Sequence, residues 1–198
     1  MFRLFESIRL ESGKFQNLEM HHQRISRSSK ALLGKDRADE IIEELTHAAR
    51  PTDGVYKARL QYDADTETIG YIPYTMRVVA SLKIVNDDSI GYAHKFTDRS
   101  RVEELFSQRE NGDDIIIVRN GWVTDSSYSN LIFKRKNTWL TPAQYLLRGT
   151  MRETLLQNGI IKEEEIRAAD IFRFEKVKLI NAMMGMNGPE IEIENILR

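Results

Sequence analysis

The sequence predicts an α+β protein in two subdomains, and three observations carry that expectation. Runs rich in Val, Ile, Tyr and Thr, bounded by turn residues, occur in both halves of the chain. Helical periodicity lies between those runs rather than alternating with them one for one. A polar break, Asn86-Asp87-Asp88-Ser89-Ile90-Gly91, interrupts the middle. The expected subdomains are therefore 1–88 and 89–198.

The elements follow in order. Residues 2–10 mix Phe2, Leu4, Phe5, Ile8 and Leu10 with polar neighbours in loose alternation and close on Ser12-Gly13, which reads as a strand and a hairpin turn. Asn17 is placed to cap a helix with Leu18, Met20, His21, Ile25, Leu32 and Leu33 along it and a stop at Gly34. A second helix is expected over 38–49, ending before Pro51. VYKARLQYD, ETIGYIPY and MRVVASLKIV then suggest an antiparallel sheet. Beyond the break come a helix over 99–109, a buried-type strand over 114–118 and a turn at Asn120-Gly121. Further strand is expected at Val123 and over 131–134, with a turn at Asn137. Thr141-Pro142 signals a turn before a helix over 150–157 that stops at Gly159. A short turn or helix over 171–174, a strand over 177–182, an apolar Met183-Met184-Gly185-Met186 loop and a strand over 191–193 complete the chain.

Composition narrows the function. With 198 residues, 41% hydrophobic and 30% charged, the chain has ample length for a core and the make-up of an ordinary soluble protein. A net charge of −1 with scattered basic residues gives no footprint for nucleic acid. The absence of cysteine excludes disulfides, thiol catalysis and thiolate metal sites, and is compatible with a reducing compartment. MFRLFESIRLES lacks the apolar core of a signal peptide, and no stretch approaches the roughly 20 apolar residues of a membrane span. A cytoplasmic protein with no membrane partner is expected. The four histidines (21, 22, 47 and 94) show no metal spacing, so no metal site is expected. Dinucleotide, P-loop and serine-hydrolase motifs are absent.

Two devices remain, close together between Gly121 and Arg152. Asp125 sits in a run of small hydroxylated residues, Thr124, Ser126, Ser127 and Ser129, ending at Asn130. Gly149 directly precedes a helical pattern, so the first amides of that helix, at Thr150 and Met151, make an anion site suited to a phosphate. Lys95 ends a mild run after the polar break. An amine that is to form a Schiff base must be neutral when it attacks, which requires burial or a neighbouring positive charge. Taken singly, Lys95 reads as a surface lysine, Asp125 as a turn former, Arg24 as a helix-surface charge and Ser7 as a strand residue. The adjacent His21-His22 pair reads as one ring inward and one outward.

The order of the pieces resembles the class IV aminotransferase family, which binds pyridoxal phosphate. FESIRLESGKF is similar to that family's FE-x-IR strand, and NLEMHHQRISRSS to its L-x-x-H-x-x-R-L-x-x-S helix. HKFTDR follows with the lysine, then GWVTDSSYSNLIF against G-x-V-x-E-x-x-x-x-N-[LI]-F. LTPAQYLLRGTMR resembles TP-x-x-x-x-L-x-G-[IT]-x-R, and LINAMMGM the N-A-L-x-G segment. The match runs from residue 4 to about 187 and is most similar to the aminodeoxychorismate lyases. It implies the branched-chain-aminotransferase type of fold with a shortened N-terminus, a cofactor site between the subdomains and a homodimer.

The resemblance also implies roles. Lys95 would carry pyridoxal 5'-phosphate and then act as base and acid, with Ser7 assisting. Asp125 would pair with the pyridine nitrogen; it stands where the family pattern has Glu, one methylene longer. Arg24 would bind the phosphate with the amides of Thr150 and Met151 after Gly149, and Asn181 and Ala182 would complete the cup. Leu147 would pack on one face of the ring. The implied reaction is release of pyruvate from 4-amino-4-deoxychorismate to give p-aminobenzoate for folate synthesis. A branched-chain or D-amino acid aminotransferase and a non-catalytic homologue are the other readings.

Overall fold

The computed structural model describes residues 3–198, so the expected start of the first strand at Phe2 lies outside the described residues. The chain forms two compact units. One holds the residues up to Thr75 together with His94–Asp98, the other Met76–Ala93 and Arg99–Arg198. The division therefore falls at 75/76 rather than at 88/89, with a short return to the first unit.

The first unit is a four-stranded antiparallel sheet with two helices on one face. Its strands are β1 (Leu4–Glu11), β2 (Lys14–Phe15), β3 (Val55–Tyr62) and β4 (Glu67–Pro73), in the order β2-β1-β3-β4. Ser12 and Gly13 turn the β1–β2 hairpin with positive φ of 47° and 74°. Leu4, Glu6 and Ile8 alternate inward, in register with Tyr62, Leu60 and Ala58. Over that face lie helices α1 (Leu18–Leu33) and α2 (Ala38–His47), through Ile25, Ala38, Ile41 and Leu45. Each such buried Ile or Leu contributes about 1.5–3 kcal/mol. Asn17 has left-handed φ and makes no side-chain cap, so the expected Asn cap is absent; Gly34 ends α1 with φ 76° as expected. Residues 95–97 lie along β1. The Phe5 N–H donates to the Lys95 carbonyl at 2.9 Å, the Thr97 N–H to the Arg3 carbonyl at 2.9 Å, and Phe96 bridges to Leu4. Phe96 enters the helix-covered core, so its neighbour Lys95 is turned to the other face.

The second unit contains two sheets. Its elements are β5 (Leu82–Asn86), α3 (Ser100–Ser107), β6 (Asp114–Arg119), β7 (Trp122–Val123), β8 (Asn130–Arg135), β9 (Thr138–Pro142), α4 (Thr150–Gln157), β10 (Ile161–Glu164), β11 (Lys176–Ile180), β12 (Glu190–Glu192) and β13 (Ile196–Leu197). The orders are β13-β5-β6-β7 and β10-β9-β8-β11-β12. The run MRVVASLKIV does not extend the first sheet. Only Leu82–Asn86 is strand, and it pairs in parallel with β6, because its partner lies beyond the polar break. Thr141 and Pro142 end β9 instead of forming a turn. β9, α4 and β10 make a parallel crossover, which sets the start of α4 at the carboxyl end of β9. The stretch 124–129 connects the two sheets.

Candidate active site

Asn130 is the hub of the second unit. It opens β8, where its register partner is Ile180, the last residue of β11, so Asn181 follows directly beside it. Its amide nitrogen donates to Asp125 Oδ1 at 2.9 Å and to the Leu147 carbonyl at 3.0 Å. Gly149 has no room for a side chain: a Cβ there would lie 1.9 Å from Asn130 Oδ1. The two devices of the sequence are thus tied together by one residue to which no role was attached.

Asp125 is buried at 5% exposure. Its Oδ2 accepts the N–H groups of Leu146 at 3.2 Å and Leu147 at 2.9 Å. Among the described residues it has no ion-pair partner. Burial pushes its carboxyl up to about 6, against the lowering pull of the Leu147 amide, Asn130, the Leu146 amide and the charge of Arg152. A caged carboxylate without a contacting cation can accept a further protonated donor. The hydroxylated residues build the cage's support. Ser126 and Ser129 bond each other at 2.8 Å, and Ser127 donates to the buried Asp114 Oδ2 at 3.0 Å. Thr124 donates to the Ile117 carbonyl at 2.7 Å. The short hydroxyls close one bond inside the loop, Ser126 with Ser129, and two that tie the loop to β6, Ser127 to Asp114 and Thr124 to Ile117.

The remaining residues of this unit gather at the start of α4. Gly149 is extended, so the amides of Thr150 and Met151 have no carbonyl within the helix to receive them. Met151 packs with Ile132, Leu155 and Ile180 in one apolar cluster. That contact brings the turn after β11 alongside, where Asn181 Oδ1 accepts the amides of Met183 at 2.9 Å and Met184 at 3.2 Å. Asn181, Ala182 and Leu147 are half-buried. Asp125, Leu147, Gly149, Thr150, Met151, Asn181 and Ala182 therefore share one neighbourhood.

The first unit holds the other expected residues around a cluster of buried charge. Glu6 Oε1 accepts Arg24 Nε at 2.8 Å, and Glu6 Oε2 accepts Arg24 Nη2 and His21 Nδ1, the latter at 2.6 Å. Burial raises the Glu6 carboxyl, but the charge and hydrogen bonds of Arg24, with His21, outweigh it and bring it down to about 2. Burial pushes the His21 ring below its ordinary value, against Glu6 and together with Arg24 and Lys95. A neutral ring that donates from Nδ1 to an ionised Glu6 leaves Nε2 an acceptor, and that atom is buried without a partner. His21 thus turns inward and His22 outward, where it meets Asp39 at 2.7 Å. Arg24 is fixed at 5% exposure by Glu6, which the sequence reading passed over. Lys95 Nζ stands 4.6 Å from the centroid of the Phe5 ring. Ser7, two residues along β1 from Phe5, shares its face.

The family model described as amino-transferase class IV matches residues 3–188 of this chain. The chain belongs to that family. An uncharacterized protein of Haemophilus influenzae is 40% identical over 189 residues, covering 94% of this chain and all of that one. A crystal structure from Haemophilus somnus, named there as a candidate 4-amino-4-deoxychorismate lyase, has a TM-score of 0.85 and 36% identity over 93% of this chain and 98% of its own. A hypothetical aminotransferase of Mycobacterium tuberculosis in its pyridoxal-phosphate-bound form shares the fold, with a TM-score of 0.75 and 20% identity over 96% of this chain and 80% of that one. The α+β class follows, as does membership among pyridoxal-phosphate-dependent lyases and aminotransferases. Among the described residues no helix is long and apolar enough to cross a membrane, and no His, Asp and Glu group could hold a metal ion.

Proposed function

We propose that this protein is a pyridoxal-phosphate-dependent lyase that releases pyruvate from 4-amino-4-deoxychorismate and leaves p-aminobenzoate, a step of cytoplasmic folate synthesis, and that it works as a homodimer. The observation that supports the cofactor assignment is the Asp125 cage, a buried carboxylate with, among the described residues, three protein donors and no contacting cation. The similarity to the Haemophilus somnus protein favours the lyase over an aminotransferase.

Asp125 holds a ring nitrogen in its protonated form, and the Leu146 and Leu147 amides keep the carboxylate in place while it does so. The amides of Thr150 and Met151 after Gly149 receive the phosphate, with Asn181 and Ala182 beside them. Arg24, which Glu6 orients, would supply the phosphate's countercharge, and Leu147 would pack on one face of the ring. Bound there, pyridoxal phosphate supplies an electron sink for negative charge at the substrate carbon that bears the amino group. Lys95 would hold the cofactor, and its amine would take the proton from that carbon and return one to the departing methylene. Ser7 steadies the lysine's proton transfers from the same face of β1.

The experiment supplies purified protein with cofactor and either 4-amino-4-deoxychorismate or an amino acid with 2-oxoglutarate. The lyase reading expects p-aminobenzoate from the first mixture. Amino transfer to 2-oxoglutarate with no p-aminobenzoate would replace it with the aminotransferase.

A further inference from the structure

We propose that Ser28 and His94 are positioning residues that fix Lys95 to the helix carrying Arg24, an inference that rests on the proposed attachment of the cofactor to Lys95. Lys95 is the middle residue of a tight turn. The Phe96 N–H donates to the His94 carbonyl at 2.9 Å, and the φ of Lys95 is not positive, which makes the closure an inverse γ-turn. Such a turn sets the direction of its middle side chain.

The turn is held on both sides. After Lys95, the bonds of Phe5 to Lys95 and of Thr97 to Arg3 tie the backbone to β1, and Phe96 enters the core. Before Lys95 the hold is a side chain: His94 Nδ1 lies 3.0 Å from Ser28 Oγ on α1. Ser28 is buried and also bonds the buried phenol of Tyr62, the last residue of β3. Burial, with the charge of Arg27, keeps the His94 ring below its ordinary value. A neutral ring can accept at Nδ1, so the chain runs from the Tyr62 O–H to Ser28 Oγ and from the Ser28 O–H to His94.

This chain is polar where its surroundings are not, since Leu4, Ile25, Leu60 and Phe96 pack in the same cluster as Tyr62. Apolar side chains would fill that space at less cost in desolvation. What the hydrogen bonds add is direction, because a paired buried network specifies one arrangement. Here it joins the lysine turn to α1 at Ser28, one helical turn beyond Arg24 and on the same side. The guanidinium assigned to the phosphate and the backbone that aims the lysine are thus referred to one rigid element, at points about 6 Å apart along it. A misplacement of about 1 Å at a reacting group can cost about 100-fold in rate, so a long, rotamer-rich lysine gains from a fixed root.

Three variants test this. His94→Phe keeps a ring and loses the bond, Ser28→Ala removes the hydroxyl, and His94→Asn offers a carbonyl in place of Nδ1. One probe is pyridoxal 5'-phosphate, fixed to its lysine with borohydride and located by peptide mass. The other is pyridoxamine 5'-phosphate, which has no aldehyde to attach. His94→Phe and Ser28→Ala should slow attachment at Lys95 roughly 5- to 20-fold and leave the affinity for pyridoxamine 5'-phosphate unchanged, while His94→Asn recovers most of the rate. In cofactor-free protein, hydrogen exchange at the Phe96 amide should quicken in the first two variants and stay as in wild type for amides in the middle of β3. Weakening of both probes alike would mark a merely structural role and overturn the proposal, as would unchanged attachment or a His94→Asn no better than His94→Phe. If Ser28→Ala does not fold, the two His94 variants decide it. Wild type that attaches the cofactor at another lysine would sink the role given to Lys95. The Phe96 amide then decides the anchor by itself, and equal exchange in wild type and His94→Phe would overturn it.

Discussion

Replacing Asp125 by Asn in the cofactor-free protein should remove a specific slope from stability against pH. Asp125 sits about 6 in the folded protein against an ordinary 3.8. Its folded form keeps a proton that the unfolded chain has already lost. The favourable contribution is therefore complete below 3.8 and is lost as pH rises through about 6, at a total of about 3 kcal/mol. About 2 kcal/mol of that loss falls between roughly pH 4.5 and 7.5. Asn cannot ionise, so the slope disappears. The substitution also turns an amide against Asn130, whose own amide nitrogen is committed to the Leu147 carbonyl at 3.0 Å, which costs about 1–2 kcal/mol. At neutral pH the variant should come out about 1–2 kcal/mol more stable, yet unable to hold the ring nitrogen protonated. Urea unfolding of both proteins at several pH values measures this, and taking the difference cancels every other titrating group. A wild-type-minus-variant difference that is flat between pH 4.5 and 7.5 refutes the reasoning.

Two further substitutions probe the packing and the buried charge. Gly149→Ala places a methyl 1.9 Å from Asn130 Oδ1, so Asn130 must leave Asp125 and Leu147, at a cost of about 2–4 kcal/mol. Combining it with Asn130→Ala should cost clearly less than the sum of the two single changes in urea unfolding, and strict additivity would count against the clamp. Glu6→Gln leaves Arg24 buried opposite a neutral group and should cost about 3–5 kcal/mol at neutral pH. Glu6 sits near 2 in the folded state, below its ordinary 4.5, so its contribution is full above 4.5 and fades as pH falls towards 2. The gap between wild type and Glu6→Gln should narrow in acid, and a gap that widens contradicts the assignment.

Local signals in the sequence located most elements because their causes are local. Gly13, Gly34 and Gly159 mark turns at which φ is positive, and all three stand where the strand or helix pattern stops. The mistake over Leu82–Asn86 has a non-local cause. An apolar run fits either sheet, and only its pairing with Ile115, Ile116 and Ile117 decides which. Polar residues inside apolar strands were equally opaque. Glu6 and Asp114 show nothing in their neighbours of how they are held: each is buried with partners, Arg24 and Ser127, that come from other parts of the chain. Asn130 carried one usable sign: it closes the hydroxylated run just where a strand of Leu131, Ile132 and Phe133 begins. Its bond to Leu147 and its contact with Gly149 required the fold.

The central claim is tested most directly by following both products of 4-amino-4-deoxychorismate in one vessel. The lyase account expects wild type to form p-aminobenzoate and pyruvate in equal amounts, with Lys95→Ala forming neither. Either product appearing at the same rate from Lys95→Ala, or p-aminobenzoate absent from wild type that has taken up cofactor, would contradict it.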